Sequence, residues 1–135
     1  MKKGKLLNSE LSYEIAKIGH TSHITLCDAG LPFPKGVKRI DLAIEAGYPS
    51  FIKTLDTILS EMMVEEIVLA SEIKTINPKV YNEILETFQK NGMNPKIVEV
   101  SHTEFKEITR ESEAIVRTGE CTPYANIILK SGVVF

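Results

Sequence analysis

The chain has 135 residues, of which 43% are hydrophobic and 25% are charged, which is the composition of one ordinary globular domain with a single core. Sixteen basic side chains are outnumbered by eighteen acidic ones, which gives a net charge of -2. This balance argues against nucleic acid and anionic membranes as partners, because both need concentrated positive charge. Small neutral ligands remain compatible with the composition.

The amino-terminal residues carry basic side chains but too few apolar ones for a signal peptide, and no apolar run in the sequence is long enough to span a bilayer. We therefore expect a cytoplasmic protein without membrane contact. In that compartment Cys27 and Cys121 are expected to stay reduced rather than to form a disulfide.

The first third of the chain predicts a helix, a strand and a loop. Asn8 is suited to cap a helix with apolar residues at helical spacing, and Gly19 is suited to end it in a left-handed conformation. Residues 23–27 predict a short strand, which a proline-rich loop follows. Asp28 therefore lies at the carboxyl end of a strand, where open α/β sheets bind their ligands.

The middle of the chain predicts two further strands and two helices in alternation. Residues 39–42 predict a short strand, and Ser50 can cap the helix that follows it. Residues 64–70 are typical of a strand buried on both faces. Asn77 before a proline is a strong helix start, and residues 91–92, Asn-Gly, are a matching stop.

The last third predicts a strand at residues 96–100 and a helix opened by a capping box at residues 101–104. Two late strands, at 114–117 and 126–129, flank a polar turn. Because strands and helices alternate, the sequence predicts a single domain over residues 1–135, with a three-layer α/β/α architecture and a mixed, partly parallel sheet.

The densest group of polar side chains is this turn, residues 117–126, which read Arg-Thr-Gly-Glu-Cys-Thr-Pro-Tyr-Ala-Asn. Such a set is poorly suited to packing and well suited to a hydroxyl-rich ligand. If the strand begins early, Tyr124 and Asn126 face one place, because residues two apart share a face. The alternative is structural: a packed phenol, an amide at a strand end, and Arg117 paired with Glu120.

Several chemistries have no matching motif. The eight glycines form neither a dinucleotide fingerprint nor a phosphate-binding loop, and neither the cysteines nor any serine shows the local signature of a nucleophile. His20, His23, Cys27 and Asp28 could be metal ligands, but their spacing fits no familiar zinc pattern, and a strand would scatter them over two faces. We therefore expect no metal site and no nucleotide-dependent chemistry.

Four residues outside the turn are candidates for acid–base chemistry or ligand binding. His20 could be a catalyst or a surface histidine that follows a helix. Asp28 could hold a ligand or satisfy the backbone of its own turn. His102 could simply open its helix, while Lys106, one turn later, is either solvated or meets the same polar ligand as His102. We include Lys106 among the substrate-binding residues.

Several separated motifs together carry a resemblance that runs nearly from end to end. They are Gly19-His20-Thr21, Cys27-Asp28-Ala29-Gly30-Leu31-Pro32, Arg39-Ile40-Asp41, Glu72-Ile73-Lys74, Ser101-His102, Arg117-Thr118-Gly119-Glu120 and Pro123-Tyr124-Ala125-Asn126. In these residues the chain resembles the D-ribose pyranase group of the ribose pyranase and fucose mutarotase family. The fucose branch tends to Asn-Phe-Pro at residues 30–32, so this chain favours ribose. Ser22 is a departure, because related sequences often carry aspartate there.

The resemblance implies interconversion of the pyranose and furanose forms of free D-ribose without a cofactor. It also implies a homo-oligomer, a decamer of two stacked pentameric rings, with sites between neighbouring subunits. The family's proton donor falls on His20. Its sugar-binding residues fall on Asp28, His102, Tyr124 and Asn126.

The chemistry of ring interconversion fits such a set. A proton must reach the ring oxygen while another leaves the anomeric hydroxyl, and acid–base groups suffice for both transfers. His20 is our choice for the acid, and either His102 or Tyr124 could take the second proton. The alternatives are a fucose-type mutarotase of the same family, a non-catalytic sugar-binding component of ribose uptake, and a metal-dependent aldose–ketose isomerase.

Overall fold

The computed structural model describes residues 1–135. In chain order the elements are α1 (Ser9–Lys17), β1 (His23–Cys27), β2 (Lys38–Asp41), α2 (Phe51–Leu59), β3 (Val64–Ala70), α3 (Ile73–Ile76), α4 (Pro78–Lys90), β4 (Lys96–Val100), α5 (His102–Ile108), a 3-10 turn (Thr109–Glu111), β5 (Ala114–Arg117) and β6 (Ile127–Ser131). No helix combines the length and the apolar character that crossing a bilayer requires.

The six strands form one sheet in the order β2-β5-β1-β6-β3-β4. Five of them run in the same direction, and β6 lies antiparallel between β1 and β3. This confirms the predicted mixed, partly parallel sheet. We call the edge at which the five parallel strands end the carboxyl edge, and the opposite edge the amino edge.

Hydrophobic residues fill both faces of the sheet. The alternation along β3 shows this directly, because Ile67 and Leu69 belong to a large cluster on one face while Val68 and Ala70 belong to a smaller one on the other. Helices α1, α2 and α4 contribute to the large cluster, and α5 contributes Phe105 to the small one. The predicted three-layer architecture is therefore confirmed.

Three helix starts follow the sequence signals. The side chains of Asn8, Ser50 and Ser101 accept hydrogen bonds from the backbone three residues later, so α1, α2 and α5 are capped as predicted. Helix α4 also begins at the predicted proline, but Asn77 makes no side-chain capping bond. The prediction of a cap by Asn77 was wrong, because its side chain is directed to the 117–126 turn, where Nδ2 donates two hydrogen bonds.

Of the two helix ends at which we predict a glycine, one has the predicted geometry and the other does not. Gly92 has φ +71° after α4, as its position indicates. Helix α1 instead ends when Ile18 turns into extended backbone, and the left-handed residue that follows is Thr21, with φ 69°, rather than Gly19. The prediction of a left-handed Gly19 was therefore wrong.

Asp56 ties the amino-terminal segment to the carboxyl end of α4. Its buried carboxylate accepts hydrogen bonds from Lys5 Nζ and from Asn91 Nδ2, the latter at 3.0 Å, and Lys90 Nζ lies 3.4 Å away. The hydrogen bond from Lys5 is the main cause that lowers the pKa of Asp56 to about 2. As the pH falls, Asp56 is therefore protonated at a higher pH in the unfolded chain than in the folded protein.

We expect Asp56→Asn to lower the free energy of unfolding at pH 7 by about 2 kcal/mol. The contribution of Asp56 is complete above its unfolded pKa, near 4, and is lost as the pH falls to about 2. Urea denaturation from pH 7 to pH 2 measures both effects. As the pH falls, the free energy of unfolding of the variant should decrease less steeply than that of the wild type. Glu86→Gln on the exposed side of α4 is the control. If the free energy of unfolding of the wild type depended on pH no more steeply than that of Asp56→Asn, the stabilising role of Asp56 would be contradicted.

Candidate active site

A groove of about 330 Å³ lies at the carboxyl edge of the sheet. Its lining residues are Asp28, Gly30, Leu31, Pro32, His102, Pro123 and Tyr124. Asp28 directly follows β1, His102 begins α5 after β4, and Tyr124 lies shortly before β6. Three sequence-predicted residues therefore meet where the parallel strands end, as the position of Asp28 predicts. The volume is at the small end of the range for small-molecule pockets.

The carboxylate of Asp28 is fixed from two sides. Oδ1 accepts from the backbone N–H of Gly30 at 2.9 Å, and Oδ2 accepts from Nδ2 of Asn126 at 3.0 Å. Asn126 returns the contact, because its Oδ1 accepts from the backbone N–H of Asp28 at 3.0 Å. Asp28 therefore satisfies its own turn, as one of the two alternatives predicts, and it also lines the groove; its role in holding a ligand stays a prediction.

Asn126 itself is only 1% exposed. Its side chain binds both the backbone and the carboxylate of Asp28. The amide of Asn126 therefore orients the carboxylate of Asp28 and does not line the groove. The position of Asn126 at the start of a predicted strand places it at the carboxyl edge of the sheet. Its pairing with Asp28, 98 positions away, could not be predicted, because no local sequence pattern indicates it.

His102 is held through its backbone. Its N–H donates to both carboxylate oxygens of Glu72, at 3.0 and 3.1 Å, and this hydrogen bond is the main cause that lowers the pKa of Glu72. The ring of His102 meets that of Tyr124 edge to face, with centroids 5.0 Å apart. Nδ1 of His102 is buried and has no hydrogen-bond partner. Glu72 is a supporting residue that sequence reasoning named only as part of a motif.

Tyr124 reaches the groove through an unusual backbone conformation. Its φ of 57° is in the left-handed region, which costs roughly 1–2 kcal/mol for a residue with a Cβ. Strand β6 begins only at Ile127, so strand alternation between Tyr124 and Asn126 was the wrong reason for placing them together. Strained residues of this kind cluster at ligand-binding positions.

The remaining charges of the 117–126 turn anchor it to the scaffold. Arg117 donates from Nε to the carbonyl of Ala29 at 3.0 Å and from Nη1 to Asp41 at 3.1 Å. Glu120 accepts from the backbone N–H of Phe51, the first residue of α2, at 3.2 Å. The structural alternative in which Arg117 pairs with Glu120 is therefore wrong, because each has a partner in a different element.

His20 and Lys106 lie outside the groove. Nε2 of His20 is 3.0 Å from a carboxylate oxygen of Glu65, and both side chains are exposed at the amino edge. Between His20 and Asp28 stands β1, whose five residues alone span about 16 Å. Lys106 lines a neighbouring recess that shares only Pro32 with the groove. One chain therefore brings together Asp28, His102, Tyr124 and Asn126, but not His20.

Both cysteines are free thiols. Cys27 is completely buried at the end of β1, and burial raises the pKa of its thiol. A buried thiol with a raised pKa is a poor nucleophile. Cys121 is exposed in the polar turn, where its Sγ lies 3.3 Å from the carbonyl oxygen of Gly119.

Gly119 allows the polar turn to pack against the loop before α2. A Cβ at this position would lie 2.5 Å from the backbone oxygens of both Glu45 and Tyr48. We therefore expect Gly119→Ala to lower the free energy of unfolding by about 3 kcal/mol, the upper range for overpacking, as measured by urea denaturation. Gly19→Ala is the matched control, since its Cβ would meet no atom within 4 Å. Equal stability of the two variants would contradict this expectation and would show that the loop before α2 moves to accommodate the added Cβ at little cost.

The comparison with known proteins decides the family. The model of the RbsD / FucU transport protein family matches residues 1–134. The chain belongs to this family. A D-ribose pyranase of Rhodopirellula baltica is 69% identical over 135 residues, and the match covers 100% of both chains. D-ribose pyranases of Haemophilus influenzae and Vibrio vulnificus are 54% and 52% identical over 139 residues, also with complete coverage of both chains.

Solved structures agree with this membership. The structure of Bacillus subtilis RbsD complexed with D-ribose matches with a TM-score of 0.93 and 44% identity, covering 100% of both chains. A fucose mutarotase in complex with L-fucose from Streptococcus pneumoniae matches with a TM-score of 0.81 and 26% identity, again over both entire chains. The resemblance and the fold class that we inferred from the sequence are thereby confirmed.

Proposed function

We propose that this protein is an isomerase that interconverts the pyranose and furanose forms of free D-ribose. The observation that carries this conclusion is the full-length identity of 69% to a D-ribose pyranase. The 44% identity to a protein solved with D-ribose, against 26% to a fucose mutarotase, favours ribose over the fucose-type alternative. The enzyme names of the relatives also disfavour a non-catalytic role in ribose uptake.

The groove at the carboxyl edge suits a sugar that opens and closes its ring. Asp28 accepts hydrogen bonds from sugar hydroxyls with a carboxylate that Gly30 and Asn126 already hold in place. His102 also lines the groove, where its imidazole can form hydrogen bonds with the sugar hydroxyls. The phenol of Tyr124 donates or accepts on the same side. Lys106 contacts the sugar's outer hydroxyls from the adjoining recess.

His20 is the proposed proton donor, and we propose that it acts in the groove of a neighbouring copy of the chain. Its distance from its own Asp28, across the length of β1, supports this arrangement, because acid catalysis needs contact within about 2.6–3.2 Å. The protein then functions as a homo-oligomer, for which we propose the decamer of two pentameric rings. We place it in the cytoplasm, where its free cysteines suit the reducing conditions.

Saturation-transfer NMR on D-ribose tests the proposed function. Saturating the anomeric proton of one ring form should diminish the signal of the other when the protein is present, because the protein accelerates exchange between them. The same experiment with L-fucose ranks the two sugars. Unchanged exchange rates for ribose, with binding still visible by titration, would favour the sugar-binding component instead. A ketose product that disappears on addition of a chelator would indicate the metal-dependent isomerase.

A further inference from the structure

Asn77, in the junction between α3 and α4, contacts the polar turn that forms one wall of the groove. Its side chain is buried, with 8% of its surface exposed. Nδ2 donates to Oγ1 of Thr122 at 2.9 Å and to the backbone carbonyl of Pro123 at 2.8 Å. The two acceptors immediately precede Tyr124, whose phenol faces the sugar in the proposed function.

This use of Asn77 replaces the role that its position predicts. An asparagine before a proline at a helix start normally accepts a hydrogen bond from the helix backbone, yet Asn77 makes no such bond to α4. Its donor group is instead committed to the turn at the point where the chain enters the left-handed conformation of Tyr124. The helix is left without its side-chain cap while the turn is held.

We propose that Asn77 is a positioning residue that holds Tyr124 in the groove. This inference rests on the proposed function, in which Tyr124 contacts the sugar. One of the two hydrogen bonds from Nδ2 fixes the carbonyl of Pro123, which belongs to the peptide group that leads into Tyr124, and the other fixes the hydroxyl of Thr122. The edge-to-face contact of Tyr124 with His102 then carries the same constraint to the second wall of the groove.

Asn77→Asp separates positioning from folding. The variant keeps the shape of the side chain and loses both donors, and its carboxylate faces the carbonyl of Pro123. Aspartate is also a favoured helix cap and suits the amino end of α4, which offsets part of the cost of a buried carboxylate beside a carbonyl. Thermal unfolding of the variant sets the temperature at which exchange is measured on folded protein. Ribose exchange should fall about 10- to 100-fold, the effect of displacing a substrate contact by about 1 Å.

The matched control is Asn82→Asp, the same substitution at an exposed position of α4, which should keep wild-type exchange. A double variant supplies the second criterion. If Asn77 acts through Tyr124, the loss in Asn77→Asp combined with Tyr124→Phe should be smaller than the product of the separate losses, because the two residues act as one unit. Multiplicative losses would assign Asn77 an effect independent of Tyr124.

NMR of the His102 ring protons gives a readout that does not require activity. The ring of Tyr124, at 5.0 Å and nearly perpendicular, shifts these resonances, so Asn77→Asp should move them and Asn82→Asp should not. Unmoved resonances together with wild-type exchange would overturn the positioning role. Absence of exchange in the wild-type protein would instead refute the proposed function, while the ring-proton shifts would still report whether Asn77 holds Tyr124.

Discussion

Replacing His20 with alanine is expected to lower the rate of ribose ring exchange by about 10²- to 10⁴-fold, the usual contribution of a positioned acid. The fold should not change, because the side chain of His20 is 51% exposed and forms hydrogen bonds only with the carboxylate of Glu65. Such a surface pair contributes little to stability. Saturation-transfer NMR measures the rate, and thermal unfolding measures the stability of the same sample.

Glu65→Gln is the control for this experiment. It removes the carboxylate of the same surface pair and leaves the imidazole in place, so it separates loss of the contact from loss of the proton donor. We expect it to unfold at the same temperature as His20→Ala. If His20→Ala exchanges ribose at nearly the wild-type rate, His20 is not the acid, and a group at the carboxyl edge must supply the proton.

Mixing two inactive variants is expected to restore activity. His20→Ala lacks the proposed acid, and Asp28→Asn lacks the carboxylate of the groove. If each site combines the groove of one chain with His20 of another, random 1:1 assembly of a symmetric oligomer regenerates about a quarter of the sites. Ribose exchange should therefore rise from the level of the separate variants to about a quarter of the wild-type rate after joint refolding or coexpression.

A second mixture provides the control. Asp28 and Tyr124 line the same groove in one chain, so mixing Asp28→Asn with Tyr124→Phe leaves every site with one defect and should restore nothing. Mass spectrometry of tagged variants verifies that chains exchange between oligomers. Mixed oligomers of His20→Ala and Asp28→Asn without activity, or a protein that remains a monomer, would contradict a shared site.

Much of the fold could be predicted because its signals are local. The caps at Asn8, Ser50 and Ser101 each involve a backbone group three residues away, and the alternation along β3 follows from the two-residue repeat of an extended chain. The carboxyl-edge position of Asp28 also follows from strand order and the rule for parallel sheets. In these cases the determining contacts lie within a few residues of each other.

The sequence by itself determined the α/β class, the positions of the strands and most helices, and the set of polar residues around the groove. Only the tertiary structure decided how those residues are used, because the deciding contacts join distant segments. Asn126 pairs with Asp28 across 98 positions, and Asn77 holds a turn 45 positions later. The length of β1 likewise separates His20 from Asp28, a consequence of strand geometry that residue types alone do not reveal.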